Sequence, residues 1–409
     1  MATSLEQDIG IIEWDQCMRT HNFLVDSFIK TDATNLNNSF SKVNRRRKLF
    51  KVWFLIIYNF VQFLHYFLLF FLKEESPEMT KALTGAMFHS IGFSGRIIGL
   101  GPAWIFAQTS LMRLTIHLME KTQRLVFLKD LIELRMLSKE EKTNFKKMIH
   151  LIYQLTITAR FSCLIFAWTV CFFVSFMSIR LDAPVYITVI WVIHSLLIFS
   201  CAYVGCIDFF IQQGFWYIGR THIESCMDSL LNKTRKLLLL TKGTRNDIDS
   251  WMESYNMFQE IEGNFDSFSK YFVLIVASTS SLANAAFLFG ALLSEGILGI
   301  AFFFVFVTVT VQSMLFLWGT TVIHTKGKKL HDLVNRVYLK FQYIMSPRQK
   351  HVIRQVIQDL GDKRYPSVTL TLLGGTPYDA SAFGKYVIGF VAKFIILIDF
   401  LKETIKESQ

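Results

Sequence analysis

The chain has 409 residues, of which 52% are hydrophobic and only 18% are charged. Soluble globular domains carry about 25% charged residues, so this composition excludes a disordered chain, a collagen and a small disulfide-stapled secreted protein, and it indicates a polytopic α-helical membrane protein. The formal net charge of +11 is unusual for so apolar a chain. The positions of its Lys and Arg residues therefore indicate which loops face the cytoplasm.

Seven apolar segments are long enough to span a bilayer, which takes roughly 17–25 residues as a helix. They lie at 52–72, 82–112, 161–179, 185–209, 271–293, 297–323 and 380–401. We refer to 52–72 and 82–112 as the first and second apolar segments. The pattern predicts an all-α protein with an amino-terminal segment 1–51, a seven-helix transmembrane domain 52–401 and a tail 402–409.

The loops between these segments alternate in length, and basic residues flank the long ones. A basic run from Arg45 to Lys48 precedes the first apolar segment, and Lys326, Lys328 and Lys329 follow the sixth span. Under the positive-inside rule these clusters predict a cytoplasmic amino terminus, cytoplasmic long loops and an extracellular carboxyl terminus. The excess of positive charge is thereby explained by topology, and we expect no nucleic-acid partner.

The long loops repeat apolar residues at helical spacing. In the loop that includes 216–268, one such stripe consists of Trp251, Tyr255, Phe258 and Ile261. We expect these loops to be extensions of the membrane helices that form an intracellular bundle and hold subunits together. Amphipathic helices that lie on the membrane surface are the alternative.

Polar side chains lie inside several predicted spans, where a charged residue costs about 2.5–3.5 kcal/mol on insertion scales. They predict either interhelical hydrogen bonds or a small-molecule cavity between the helices. The candidates for lining a ligand cavity are Gln62, Tyr66, His89, Arg96 and His194. Further polar residues at this depth are Asn59, Asn284 and Gln312.

Motifs of catalysis and cofactor binding are absent from the sequence. It has no histidine boxes of a di-iron membrane enzyme, no HExxH, no GxSxG and no P-loop. We therefore expect neither an enzyme nor a bound cofactor or metal. A transporter would require symmetric internal repeats, which the seven segments lack, and a metabotropic seven-helix receptor would require its amino terminus outside the cell.

The last segment carries a narrow helical stripe. Ile388, Ala392, Ile395 and Asp399 are spaced i, i+4, i+7 and i+11. In a water-filled path shared by symmetric subunits, Asp399 would form an acidic ring near the outer mouth, and Ile395 or Ile388 a hydrophobic constriction. These are two elements of a cation pore. The alternative is that Asp399 lies at the headgroup boundary and that the stripe is ordinary packing.

The end of the chain resembles the insect chemoreceptor superfamily of gustatory and odorant receptors, and the gustatory branch more closely. The last helix of that branch has Thr-Tyr, five apolar residues and Gln-Phe. Here the window 392–400 reads Ala-Lys-Phe-Ile-Ile-Leu-Ile-Asp-Phe. The apolar run and Phe400 match the pattern, whereas Ala392, Lys393 and Asp399 depart from it.

The resemblance implies a ligand-gated, poorly selective cation channel in the plasma membrane. It implies a homo- or hetero-tetramer, a pore along the last helix and a pocket for a small-molecule tastant in the outer half of the helices. Asp399 and Phe400 take the Gln-Phe positions, which adds Phe400 to the pore-lining candidates. The partners expected are a small-molecule ligand, permeant cations and the lipid membrane. An odorant receptor of the same superfamily is the nearest alternative.

Overall fold

The structure is a computed structural model that describes three continuous stretches, 207–293, 296–361 and 379–407. It also describes parts of three earlier stretches and two single residues, at 53–67, 103–114, 134–168, 185 and 189. Within these parts of the chain no residue is in a β-strand. The predicted all-α fold class is confirmed for them.

Five helices are continuous within the described residues. They are α1 (Ile207–Leu239), α2 (Arg245–Leu293), α3 (Gly296–Phe341), α4 (Pro347–Gly361) and α5 (Ala380–Glu407). Two stretches, Ser269–Leu292 in α2 and Phe302–Phe341 in α3, are long and apolar enough to cross a membrane. They overlap the predicted spans 271–293 and 297–323. The predicted span 52–72 is described in part, as helix at 53–54, 56–64 and 67, and the other predicted spans before residue 207 lie largely outside the described residues; all of them stay predictions.

Within the loop 216–268, α1 ends at Leu239 and α2 begins at Arg245. One predicted boundary differs from the structure. The last helix continues to Glu407, so it extends six residues beyond the predicted end of the span at 401 and includes most of the predicted tail. The division of the chain into an amino-terminal segment, a membrane domain and a tail stays a prediction.

The predicted aromatic stripe of α2 forms the centre of a helical bundle. Trp251 is 3% exposed, Tyr255 1%, Phe258 0% and Ile261 1%. They belong to one core with buried residues of the neighbouring helices, among them Met227 and Leu230 of α1, Leu330, Val334 and Val337 of α3, and Ile353 and Val356 of α4. We call α1, the first half of α2, the second half of α3 and α4 the helical bundle. Helices α2 and α3 each continue from an apolar stretch into this bundle, as predicted for the loops that adjoin them.

Helices α2 and α4 begin with reciprocal caps that the sequence encodes. The backbone N–H of Thr244 donates to the Asp247 carboxylate over 2.8 Å, and the backbone N–H of Asp247 donates to the Thr244 hydroxyl over 3.3 Å. Ser346 and Gln349 repeat the arrangement at 2.8 and 3.2 Å, with Pro347 at the first helical position. Such capping boxes satisfy amide donors that the first turn leaves unpaired.

Side chains at the ends of α2 and α3 hydrogen-bond to backbone carbonyls at the ends of neighbouring helices. The Lys340 ammonium donates to the carbonyl oxygens of Leu238 and Leu240, at 2.6 and 2.9 Å. These carbonyls belong to the end of α1, where a cation is favoured by the helix dipole. The guanidinium of Arg245 donates to the Ile344 carbonyl over 2.9 Å. The end of α3 is thus tied to both α1 and α2.

The apolar half of α3 presents large side chains outward. In the candidate span of α3, 33% of the most apolar window is buried within the chain, against 72% in α2. The exposed stripe consists of Phe303, Phe304, Val307, Val311 and Leu315. A contiguous apolar surface of this kind is typical of contact with lipid or with another protein chain.

Thr234 gives a test of the bundle core. Its buried hydroxyl accepts a 2.8 Å hydrogen bond from the Trp251 indole N–H and donates to the Leu230 carbonyl. Thr234→Val keeps the shape but leaves the buried indole N–H unpaired, so we expect a loss of about 1–3 kcal/mol of stability. Thr221→Val is the matched control, because that hydroxyl bonds only the Tyr217 carbonyl one turn earlier. Thermal unfolding of the purified protein in detergent compares the two; equal midpoints would contradict the assignment.

Candidate pore and ligand sites

The four residues of the predicted pore stripe lie on one exposed side of α5. Ile388 is 71% exposed and Ile395 is 55% exposed, and Ala392 and Asp399 are also exposed. Val391 and Ile396, at 49% and 67% exposed, widen this side into an apolar surface. We call the line Ile388, Ala392, Ile395 and Asp399 the α5 stripe. All four side chains of the stripe are exposed in the structure.

The geometry of α5 refines the position of Asp399. At a rise of about 1.5 Å per residue, Asp399 lies about 16 Å beyond Ile388 and about 12 Å before the helix end at Glu407. The carboxylate therefore lies about two turns inside the helix. Phe400 is part of the same helix, and its side chain lies outside what the structure describes.

The first turns of α5 attach the helix to the rest of the protein. The Asp379 carboxylate accepts a 2.8 Å hydrogen bond from the backbone N–H of Ala382, which caps the helix start. The Phe383 ring meets the Trp318 ring of α3 edge to face, with centroids 5.4 Å apart. Phe383 and Tyr386 are half-buried against the core. Beyond these turns the described side chains of the stripe are exposed.

Of the five residues predicted to line a ligand cavity, the structure describes only Gln62. Gln62 lies on a helical stretch and is half-buried. Tyr66, His89, Arg96 and His194 lie outside the described residues, so the predicted cavity stays a prediction.

A buried polar contact that the sequence reasoning missed joins the second apolar segment to α2. The side-chain carbonyl of Gln108 accepts a 2.8 Å hydrogen bond from the Thr279 hydroxyl and a longer one, 3.4 Å, from the Ser280 hydroxyl. Asn59 and Asn284, which the sequence did single out, are also buried. We call these five residues the polar layer. A signal was present, since Gln108 is an amide inside a predicted span, but its partners are 171 residues away.

An ion-pair cluster joins α1 to α3. The Lys326 ammonium lies 3.0 Å from the Glu224 carboxylate and 2.7 Å from that of Asp228, and Arg220 lies 2.7 Å from Glu224. Gly319 makes room for the Arg220 guanidinium, because a Cβ there would come within 2.9 Å of its Cζ. Lys326, predicted as a flanking cation, therefore also holds two helices together. Partly buried pairs are costly to break one partner at a time.

His222 lies in the bundle core beside this cluster. Its ring is fully buried, meets the Phe145 ring with centroids 5.7 Å apart and lies 3.8 Å from the buried sulfur of Cys226, which is not in a disulfide. Burial lowers the pKa of His222 to about 4. The imidazole is thus neutral near pH 7 and acts as a packing group.

Comparisons with known proteins agree with this architecture. No protein-family model and no curated protein matches the chain in sequence. Its fold matches the solved structure of the insect olfactory receptor OR5 from Machilis hrabei in complex with eugenol, with a TM-score of 0.58 and 12% identity over 95% of this chain and 100% of that one. A second structure of that receptor gives a TM-score of 0.59 and 10% identity, over 94% and 99%. The chain therefore has the fold of an insect olfactory receptor.

The buried imidazole predicts how stability depends on pH. The unfolded chain protonates His222 near the ordinary pKa of 6.5, but the folded chain only near 4. Stability is therefore complete above pH 6.5 and declines as the pH falls toward 4, by about 2 kcal/mol at pH 5. We expect His222→Gln to flatten the dependence of the unfolding midpoint between pH 8 and pH 5. Replacing the exposed His351 of α4 in the same way should leave the slope unchanged; an equal effect of both variants would contradict the prediction.

Proposed function

We propose that this protein is a chemosensory receptor of the insect odorant and gustatory receptor superfamily, and that it acts as a ligand-gated cation channel in the plasma membrane. The observation that carries the proposal is the α5 stripe. It combines apolar side chains with one carboxylate on an exposed side of α5. The full-length likeness in fold to an insect olfactory receptor supports the same class.

Energetics favour a water path over lipid beside this stripe. A carboxylate that faces hydrocarbon at the centre of a span costs about 2.5–3.5 kcal/mol on insertion scales, and Asp399 lies within the predicted span, two residues before its end at 401. That cost is avoided when several copies of α5 enclose water. A ring of Asp399 carboxylates then attracts cations, while Ile388 or Ile395 forms the apolar constriction that closes the path.

The proposed assembly is a ring of four subunits, of this chain alone or with a related chain, around the α5 helices. Closed cyclic symmetry is the usual arrangement for such assemblies. Large apolar side chains at the far end of the helical bundle provide a second contact between subunits. They are Leu239, Leu339 and Tyr343, which are 81%, 58% and 88% exposed. Neighbouring subunits would then form the apolar constriction together and would also contact one another through their helical bundles.

The proposed ligand is a small organic molecule held between the helices by Gln62, Tyr66, His89, Arg96 and His194. The similar receptor from Machilis hrabei has been solved with eugenol, which supports a small-molecule ligand here. The residues at 392–400 favour a gustatory ligand, whereas the similar solved structures are of an olfactory receptor. A tastant is our first choice and an odorant the alternative, and the function needs no catalytic step.

Whole-cell recording from cells that express the chain tests the class. We expect a panel of tastants and volatiles to include compounds that open a cation current when G-protein signalling is blocked. Substrate-coupled flux without unitary openings would favour a transporter, and loss of the current with the G-protein block would favour a metabotropic receptor.

Asp399 tests the pore. Asp399→Asn should lower the unitary cation conductance by roughly twofold or more at low salt, and Asp399→Lys should lower it further, because the attraction for cations is lost or reversed. The difference should shrink toward 1 M salt, where the screening length falls to about 3 Å. Asp332→Asn is the control, since this carboxylate of α3 is 74% exposed and lies in the bundle. Unchanged conductance in both Asp399 variants would remove this residue from the pore.

A further inference from the structure

The polar layer lies at the centre of the most apolar part of the molecule. Thr279 and Ser280 are ten and eleven residues into the 24-residue candidate span Ser269–Leu292. All five members are at most 4% exposed, and Asn59, Gln108 and Asn284 are at most 1% exposed. Amide side chains at this depth are removed from bulk water on every side.

Contacts on either side show that the first apolar segment reaches the layer. The Ser110 hydroxyl donates to the Ile56 carbonyl over 3.1 Å, and the Phe63 ring lies 5.8 Å from that of Trp104. The two segments are therefore antiparallel, and Asn59, between Ile56 and Phe63, lies at the level of Gln108. Asn284 follows Ser280 by four residues, which puts it one turn further along the same face of α2.

Several polar atoms of the layer lack a hydrogen-bond partner, and these atoms indicate what kind of ligand could bind there. Both polar atoms of Asn59, both of Asn284 and the amide nitrogen of Gln108 have no hydrogen-bond partner among the described residues. The Thr279 hydroxyl is already used by Gln108 and by the Ile275 carbonyl. Buried amides are rarely left unpaired, because their desolvation is then uncompensated. A ligand of this layer must therefore both donate and accept hydrogen bonds.

The apolar side chains next to the layer favour a small ligand. Neighbouring side chains on the two helices are tightly buried and apolar, and they include Ala107, Ala283, Phe287 and Leu288. Internal water makes about three hydrogen bonds to groups of this kind, whereas an organic ligand needs a larger apolar volume. Water therefore meets both requirements.

We propose that the polar layer binds internal water molecules, which bridge Asn59, Gln108 and Asn284 and join the first and second apolar segments to α2. The site is separate from the α5 stripe and does not depend on channel function. Its ligand is water held between the first apolar segment, the second apolar segment and α2.

Radiolytic hydroxyl-radical footprinting of the purified full-length protein tests the site, because bound water activated in place oxidises the side chains beside it. We expect Phe287, one turn from Asn284, to be oxidised several-fold faster than Phe258, an equally inaccessible ring in the bundle core. Asn284→Leu should abolish the fast oxidation of Phe287 and leave other sites unchanged. Equal rates at Phe287 and Phe258 in the native protein would overturn the proposal, as would a fast rate that persists in the variant.

Two further measurements separate water from its alternatives. If the layer is dry, Asn284→Leu removes an unpaired amide and raises the unfolding temperature; if it is hydrated, the variant strands the remaining groups and lowers it. The control variant Asn335→Leu, at an exposed position of α3, should change the unfolding temperature little. Mass spectrometry of the denatured native protein should release no stoichiometric organic compound. A raised unfolding temperature or a released organic molecule would each contradict internal water.

Discussion

The stack of Trp216 on Phe316 is the contact on which the described architecture depends. The two ring centroids are 3.7 Å apart, and the Phe265 ring lies 6.2 Å from that of Trp216. One interaction thus joins α1, α2 and α3 at the level where the helical bundle meets the apolar half of the molecule. Large buried aromatic rings contribute more area than any other side chain. The ion pairs of Lys326 and the hydrogen bonds of Lys340 join α1 and α3 at two further points.

This junction also determines what α5 can do. Trp318, two residues after Phe316, receives the Phe383 ring, so α5 is attached to the same level of α3 by its first turns. Further along the helix, the described side chains of the stripe are exposed. A helix fixed at its base and exposed along an apolar and acidic stripe is suited to meet other copies of itself around water. The proposed channel follows from this division between an anchored start and an exposed stripe.

The sequence predicted the features that local periodicity encodes. The stripe from Trp251 to Ile261 was read from its spacing, and all its members are buried, because a helix of that pattern has a single apolar face to bury. The break at 240–244 was missed, although Thr244 and Asp247 carry a capping pattern. Gln108 was missed for a different reason: its role depends on hydroxyls 171 and 172 residues further along the chain, and no local pattern indicates that contact. Likewise, sequence spacing predicts that the α5 stripe lies on one face, but only the packing of Phe383 and Tyr386 shows that this face is outward.

Cryo-electron microscopy of the purified protein in lipid nanodiscs would show where α5 lies in the assembled protein. We expect a ring of four subunits with α5 of each at the centre, Asp399 facing a continuous water path, and the bundles in contact at their far ends. A monomer, or an assembly in which the α5 stripe faces lipid, would contradict it.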